Sequence, residues 1–186
     1  ILSIEDRRFF EHPGIDFIGI ARAALRNITG KSHEGASTIT MQVARNFFLT
    51  SERTLKRKIN EILLAIKIER ILSKEEILEL YINQIYLGQR SFGFAAAANT
   101  YYGKNLDQLN LGETALLAGL PKAPSRYNPL VRPHLAIKRQ QDVLNSMLRH
   151  GYIDEPTYIL ALEDSLDLKD KFMKSELQAN YVAEMV

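Results

Sequence analysis

Three short segments carry residue types whose spacing suits group transfer. In Glu5-Asp6-Arg7-Arg8-Phe9-Phe10-Glu11-His12-Pro13-Gly14, paired carboxylates precede aromatic rings and a histidine. A carboxylate held in place by such neighbours can take a proton from an attacking hydroxyl. Gly35-Ala36-Ser37-Thr38-Ile39-Thr40-Met41-Gln42 brings hydroxyls and an amide to what reads as a helix start, where unpaired backbone N–H groups bind phosphate oxygens. Arg57-Lys58-Ile59-Asn60-Glu61 then sets Arg57 and Lys58 one helical turn before Glu61, so on a helix all three are neighbours. The cations Arg45, Arg53, Lys56, Arg57 and Lys58 meet only Glu52 as an acid between positions 45 and 58. With Asn46 at the end of the preceding helix, a short crossing gathers cations and an amide into a set that suits a pyrophosphate.

Each segment alone also has a plain structural reading. Arg57, Lys58 and Glu61 can form a solvated ion pair along one helix, worth only about 0.2–0.5 kcal/mol. Ser37 or Thr38 can be an ordinary N-cap, and Phe9 and His12 can face a core. All three in order, a base, a phosphate-binding helix start and a cation cluster, describe transfer of a group from a phosphorylated donor.

The elements that must position these residues read as helices. Asp16 caps one through Phe17, Ile20, Ala21, Ala24 and Leu25, followed by a polar, glycine-punctuated mobile loop over 28–35. Ser37 or Thr38 starts a second, reaching Phe47 or Phe48. A third covers 52–72, with Ile59, Ile62, Leu63 and Ile66 expected inward. Ser73-Lys74-Glu75-Glu76 is a capping box opening a helix with Ile77, Leu78, Tyr81, Ile82 and Ile85. Alanines 95–98 predict a short packed helix, and Asn110-Leu111-Gly112-Glu113 opens another. The proline-rich stretch 121–133 is an ordered connection; a long helix over 134–150 stops at Gly151, and Asp154-Glu155-Pro156 begins the last. The expected fold class is mainly α.

At 186 residues the chain can bury a substantial core as one domain or as two small lobes around a cleft. Its 46% hydrophobic content and mean hydropathy of −0.17 fit a folded body. A net charge of +2 and a pI near 8.8 decide nothing about nucleic acid. The absence of cysteine excludes disulfides and thiolate metal sites. No apolar run approaches the ~18 residues of a membrane span, and no signal peptide is present. The opening at Ile1 reads as a piece of a longer protein.

The ordered motifs resemble those of the peptidoglycan glycosyltransferase family, the polymerase domain of class A penicillin-binding proteins and of monofunctional transglycosylases. Glu5, Asp6, Phe9, His12 and Gly14 match its first motif. Gly35, Ser37, Thr38, Thr40 and Gln42 match its second, with Met41 where glutamine is usual, and Arg57, Lys58 and Glu61 match its third. Lys74, Ile77, Leu78, Tyr81 and Asn83 match a fourth, with Ile82 for leucine; Arg139, Val143 and Leu144 match a fifth, with Lys138 in the first arginine's place. The segments 92–95 and 120–125 look most like the bifunctional class A type.

The resemblance implies a lysozyme-like larger lobe with a smaller membrane-facing lobe, placed here near residues 14–36, where Phe17, Ile18 and Ile20 meet lipid. It implies a glycosyltransferase domain over 1–175, with 176–186 beginning a linker toward a transpeptidase region. The implied reaction polymerises lipid II into β-1,4 glycan with inversion and release of undecaprenyl pyrophosphate. Glu5 and Glu61 are the implied catalytic residues. Asp6, Phe9, His12, Ser37, Thr38, Gln42, Arg45, Asn46, Arg57 and Lys58 are the substrate-binding set. A divalent cation, Mg2+ or Mn2+, is an expected companion of the pyrophosphate, without assigned ligands. Expected partners are lipid II, the growing glycan strand, the membrane surface and other cell-wall synthesis proteins, not nucleic acid. The expected location is periplasmic, or the outer face of a bacterial cytoplasmic membrane, with an anchor outside this sequence. A glycan-cleaving enzyme of lysozyme-like fold also needs a glutamate acid but has no use for a cation cluster. A non-enzymatic binder would be indifferent to loss of Glu5.

Overall fold

The computed structural model describes residues 1–28, 37–48, 54–164 and 168, and among these it is helical, as expected. Among the described residues the β structure is limited to an isolated antiparallel bridge between Tyr86 and Phe92. The helices are α1 (Leu2–Glu5), α2 (Phe17–Ile28), α3 (Ile39–Phe48), α4 (Leu55–Glu69), α5 (Lys74–Gln84), α6 (Phe94–Tyr101), α7 (Leu111–Gly119), α8 (Pro133–Arg149) and α9 (Glu155–Glu163). No described helix is long and apolar enough to cross a membrane.

Local chemistry sets the boundaries. Asp16 Oδ1 accepts from the Gly19 N–H to start α2, and Thr38 Oγ1 accepts from the Met41 N–H to start α3. Full capping boxes open α5 (Ser73 with Glu76) and α7 (Asn110 with Glu113), while Asp154 caps α9. Each cap satisfies N–H groups that the first helical turn leaves unpaired.

The core gathers Phe9, Ile39, Val43, Ile68, Ile77, Tyr81, Leu87, Tyr101, Leu116, Leu117 and Leu120, joining α3 to α7 around the 3-10 turn at Phe9–Glu11. A second cluster of Ala115, Ala118, Val143, Leu144 and Ala161 packs α7, α8 and α9 together.

α4 differs from expectation. Ile59 and Leu63 lie on its outer face, 58% and 59% exposed, and the buried ridge is Glu61, Ala65 and Ile68. A one-turn apolar spacing exists on both faces of this helix. The face that turns inward is the one whose Ile68 packs into the core, and it carries Glu61 with it. α2 leaves Phe17, Ile18 and Leu25 exposed, so it is not a core helix. The mobile-loop expectation, most of Gly35-to-Gln42's glycine end, and the proposed linker at 176–186 lie outside the described residues.

Candidate active site

Glu5 ends α1, with an 11% exposed side chain fixed by two donors. Gln42 Nε2 donates to Oε2 at 3.1 Å and Arg139 Nη2 to Oε1 at 3.4 Å, so each oxygen keeps lone-pair capacity for a further proton. Tyr81 sets which way the Gln42 amide points. Its hydroxyl donates to Gln42 Oε1 at 3.4 Å, leaving Nε2 for Glu5. Burial, then the Glu5 charge, pushes the Tyr81 phenol well above its ordinary value, so it stays a neutral donor.

Asp6 points the other way, into the protein. Its carboxylate accepts from His12 Nε2 at 2.9 Å and from the Ile39 N–H at 2.9 Å, joining α1 to the first turn of α3. The Gly14 N–H donates to His12 Nδ1 at 3.2 Å, which places the ring proton on Nε2. Gly14 itself is required by geometry: its φ is +89°, and a Cβ there would stand 3.1 Å from the Ala65 carbonyl oxygen. Thr38 is equally committed, donating to the Gly14 carbonyl while capping α3.

On α4, Lys58 Nζ donates to Glu61 Oε1 at 2.6 Å and to Ser37 Oγ at 2.8 Å, and Arg57 Nη1 donates to Glu61 Oε2 at 3.4 Å. Glu61 is fully buried, so this is not the solvated pair that spacing alone allows. Lys58 ties the third motif to the second. Asn46 lies elsewhere, in a recess of about 260 Å³ lined with Phe47, Gln84, Tyr86 and Phe92. Arg45, half-buried one turn before the end of α3, is close enough to Tyr81 for its charge to oppose the phenol's upward shift.

The expected substrate contacts therefore divide by exposure. Glu5, Ser37, Arg45, Asn46, Arg57 and Lys58 retain surface, whereas Asp6, His12, Thr38 and Gln42 are buried and engaged. Phe9 corrects the expectation: it is completely buried, its ring beneath Lys74 Nζ at 4.4 Å, so it supports the site by packing and touches no ligand. Glu61, expected to be catalytic, is likewise shut away behind its cations.

Glu61 is also a poor metal ligand, because both its oxygens already accept from cations that would repel a divalent ion. No group of three or more His, Cys, Asp or Glu side chains able to hold a metal gathers among the described residues. Arg139 and Tyr81 were missed as site residues. Their motif positions are visible, but the motifs do not show that Arg139 reaches Glu5 or that Tyr81 reaches Gln42.

A family model described as Transglycosylase matches residues 1–148. Penicillin-binding protein 1A of Neisseria gonorrhoeae is 54% identical over 187 aligned positions, covering 100% of this chain and 23% of that protein. Penicillin-binding protein 1A of Pseudomonas aeruginosa is 52% identical over 186 positions with the same coverage. The chain thus spans less than a quarter of the length of these relatives. The crystal structure of penicillin-binding protein 1A from Haemophilus influenzae superposes with a TM-score of 0.51 at 33% identity, over 78% of this chain and 20% of that one. From its ordered motifs to the match over most of its length, the chain belongs to the transglycosylase family, the peptidoglycan glycosyltransferases.

Proposed function

We propose that this domain polymerises lipid II, joining disaccharide units through β-1,4 bonds with inversion and releasing undecaprenyl pyrophosphate. The acceptor's 4-hydroxyl attacks the donor's anomeric carbon, the bond from that carbon to the pyrophosphate oxygen breaks, and the hydroxyl proton passes to Glu5. The carrying observation is the state of Glu5. It keeps some exposure and open acceptor capacity, while two side chains from distant helices hold its orientation.

The leaving group needs its charge balanced more than it needs a proton. Arg57 and Lys58 supply that charge, arranged by Glu61. Both cations keep exposed surface, 18% for Arg57 and 39% for Lys58, through which phosphate oxygens are met. A divalent ion would add to the neutralisation of the pyrophosphate charge, and Glu61, with both oxygens engaged by Arg57 and Lys58, would not be its ligand. The recess at Asn46 offers amides and the tilted Tyr86–Phe92 ring pair, 5.1 Å between centroids, to a sugar of the donor. The proposed site of action is the outer face of the cytoplasmic membrane, where a lipid-linked substrate is met without leaving the bilayer.

Labelled lipid II incubated with the wild type and Glu5→Gln tests this directly. The variant is expected to polymerise at least ~100-fold more slowly, the usual scale for a lost general base. Near-normal turnover would remove Glu5 from the role, and shortening of added glycan would identify a hydrolase instead.

A further inference from the structure

Lys74 occupies an awkward place. It is the first residue of α5, where the helix dipole opposes a cation, and its side chain is only 18% exposed. Replacing a buried ion pair by apolar groups is often neutral or stabilising, so stability alone gives no reason for a lysine here. Its contacts give one. Lys74 Nζ donates to the His12 carbonyl at 2.7 Å and to Glu69 Oε1 at 2.6 Å, and lies over the Phe9 ring. The same Glu69 oxygen accepts from the Thr40 hydroxyl, and Glu69 Cγ lies beside Gly14.

The contacts converge on Glu5 by two routes. Through His12 they reach Asp6, the residue next to Glu5 in the chain. Through Thr40 they reach α3, on which Gln42 orients the Glu5 carboxylate. We propose that Lys74 and Glu69 are positioning residues for the reaction at Glu5: a buried ion pair between α4 and α5 that locks the first two motifs to each other. Neither touches substrate. The inference rests on Glu5 as the base, and its test is built to separate the two.

Lys74→Met, Lys74→Arg and Thr40→Val are compared with wild type below the onset of their thermal transitions, with kcat and KM on lipid II and Kd for a pyrophosphate-bearing ligand. Displacing a reacting group by about 1 Å costs up to ~100-fold, so Lys74→Met should lose roughly 10- to 100-fold in kcat with KM and Kd within about twofold. Lys74→Arg, which keeps the charge and the donors, should recover most of the loss. In a Glu5→Gln background Lys74→Met should cost little more, because residues acting as a unit are not additive. Should Lys74→Met fail to fold, Thr40→Val, which breaks only the Glu69 arm, must show the same kcat-selective loss.

Equal damage to kcat, KM and Kd, failure of arginine to rescue, or a full further loss in the Glu5→Gln background would overturn the proposal. An active Glu5→Gln enzyme would instead overturn the assignment of the base, while leaving the Lys74 comparison in wild type readable.

Discussion

Glu61→Gln probes the cation cluster most sharply, because it changes one charge at a site with no solvent access. The wild-type carboxylate is 0% exposed and accepts from Lys58 at 2.6 Å and Arg57 at 3.4 Å, while the two cations are 39% and 18% exposed. In the variant the amide oxygen can still accept from Lys58, but the amide NH2 then faces the Arg57 guanidinium, donor against donor. Hydrogen bonds to charged groups are worth about 1.5–3 kcal/mol each, and the exposure of Lys58 discounts its share. The expected loss is about 2–3 kcal/mol, below the ~3–5 kcal/mol of breaking a wholly buried pair. For a chain of this size that is roughly 5–10 °C in Tm. Lys58 keeps its bond to Ser37, so the cluster loosens without scattering. Affinity for a pyrophosphate-bearing ligand should fall about tenfold, equivalent to ~1.4 kcal/mol, while an acceptor analogue lacking pyrophosphate binds as before. Calorimetric titration of both ligands, with urea denaturation alongside, reads all three quantities. Tighter pyrophosphate binding by the variant would refute the reasoning, for it would mean that Glu61 competes for the cations instead of arranging them.

Arg139→Met should lower kcat about tenfold or more by freeing Glu5, and should destabilise by ~1–3 kcal/mol because the Gly119 carbonyl loses its donor; steady-state kinetics and denaturation check both. Phe17→Ser with Ile18→Ser removes apolar side chains that are 70% and 62% exposed, so folding should be spared. Vesicle association and activity on full-length lipid II should drop, with activity on a short-chain soluble analogue retained; proportional loss on both substrates would place this face elsewhere than at the membrane.

Helix boundaries were legible wherever a side chain makes the boundary. Ser73 with Glu76, Asn110 with Glu113, and Asp154 each declare a helix start through bonds confined to one turn. The inward face of α4 was not legible, because its apolar residues fall on two ridges and periodicity alone does not rank them. Leu55, Ile59 and Leu63 form a regular ridge that is exposed, whereas the ridge through Ala65 and Ile68 turns inward together with a glutamate. The cations of Glu61 ride on the same helix and so cannot choose its phase; the packing of Ile68 into the core does, and that packing is a tertiary fact. Within the site the same division holds. The Arg57, Lys58 and Glu61 cluster is local and was visible; the bond from Lys58 to Ser37 and the full burial of Glu61 were not.

The position of Glu5 shows why the rest had to come from the fold. α1 is four residues long and has no side-chain cap, far below the length at which a helix holds itself in water. Its geometry is imposed from α8, the last long helix. Ser146 Oγ donates to the Ser3 carbonyl, Arg7 meets His150 at 2.9 Å, and Arg139 reaches Glu5 across 134 positions of sequence. α8 is in turn seated by the Arg139 Nε bond to Gly119 and the Gln140 bond to Gly112, both on α7. The base is thus presented by a segment with little intrinsic structure, held against a long amphipathic helix whose own place depends on the core. That arrangement puts a partly exposed carboxylate where its orientation is set by tertiary contacts, so substitutions in α8 should alter catalysis at Glu5 as directly as substitutions in the motif that contains it.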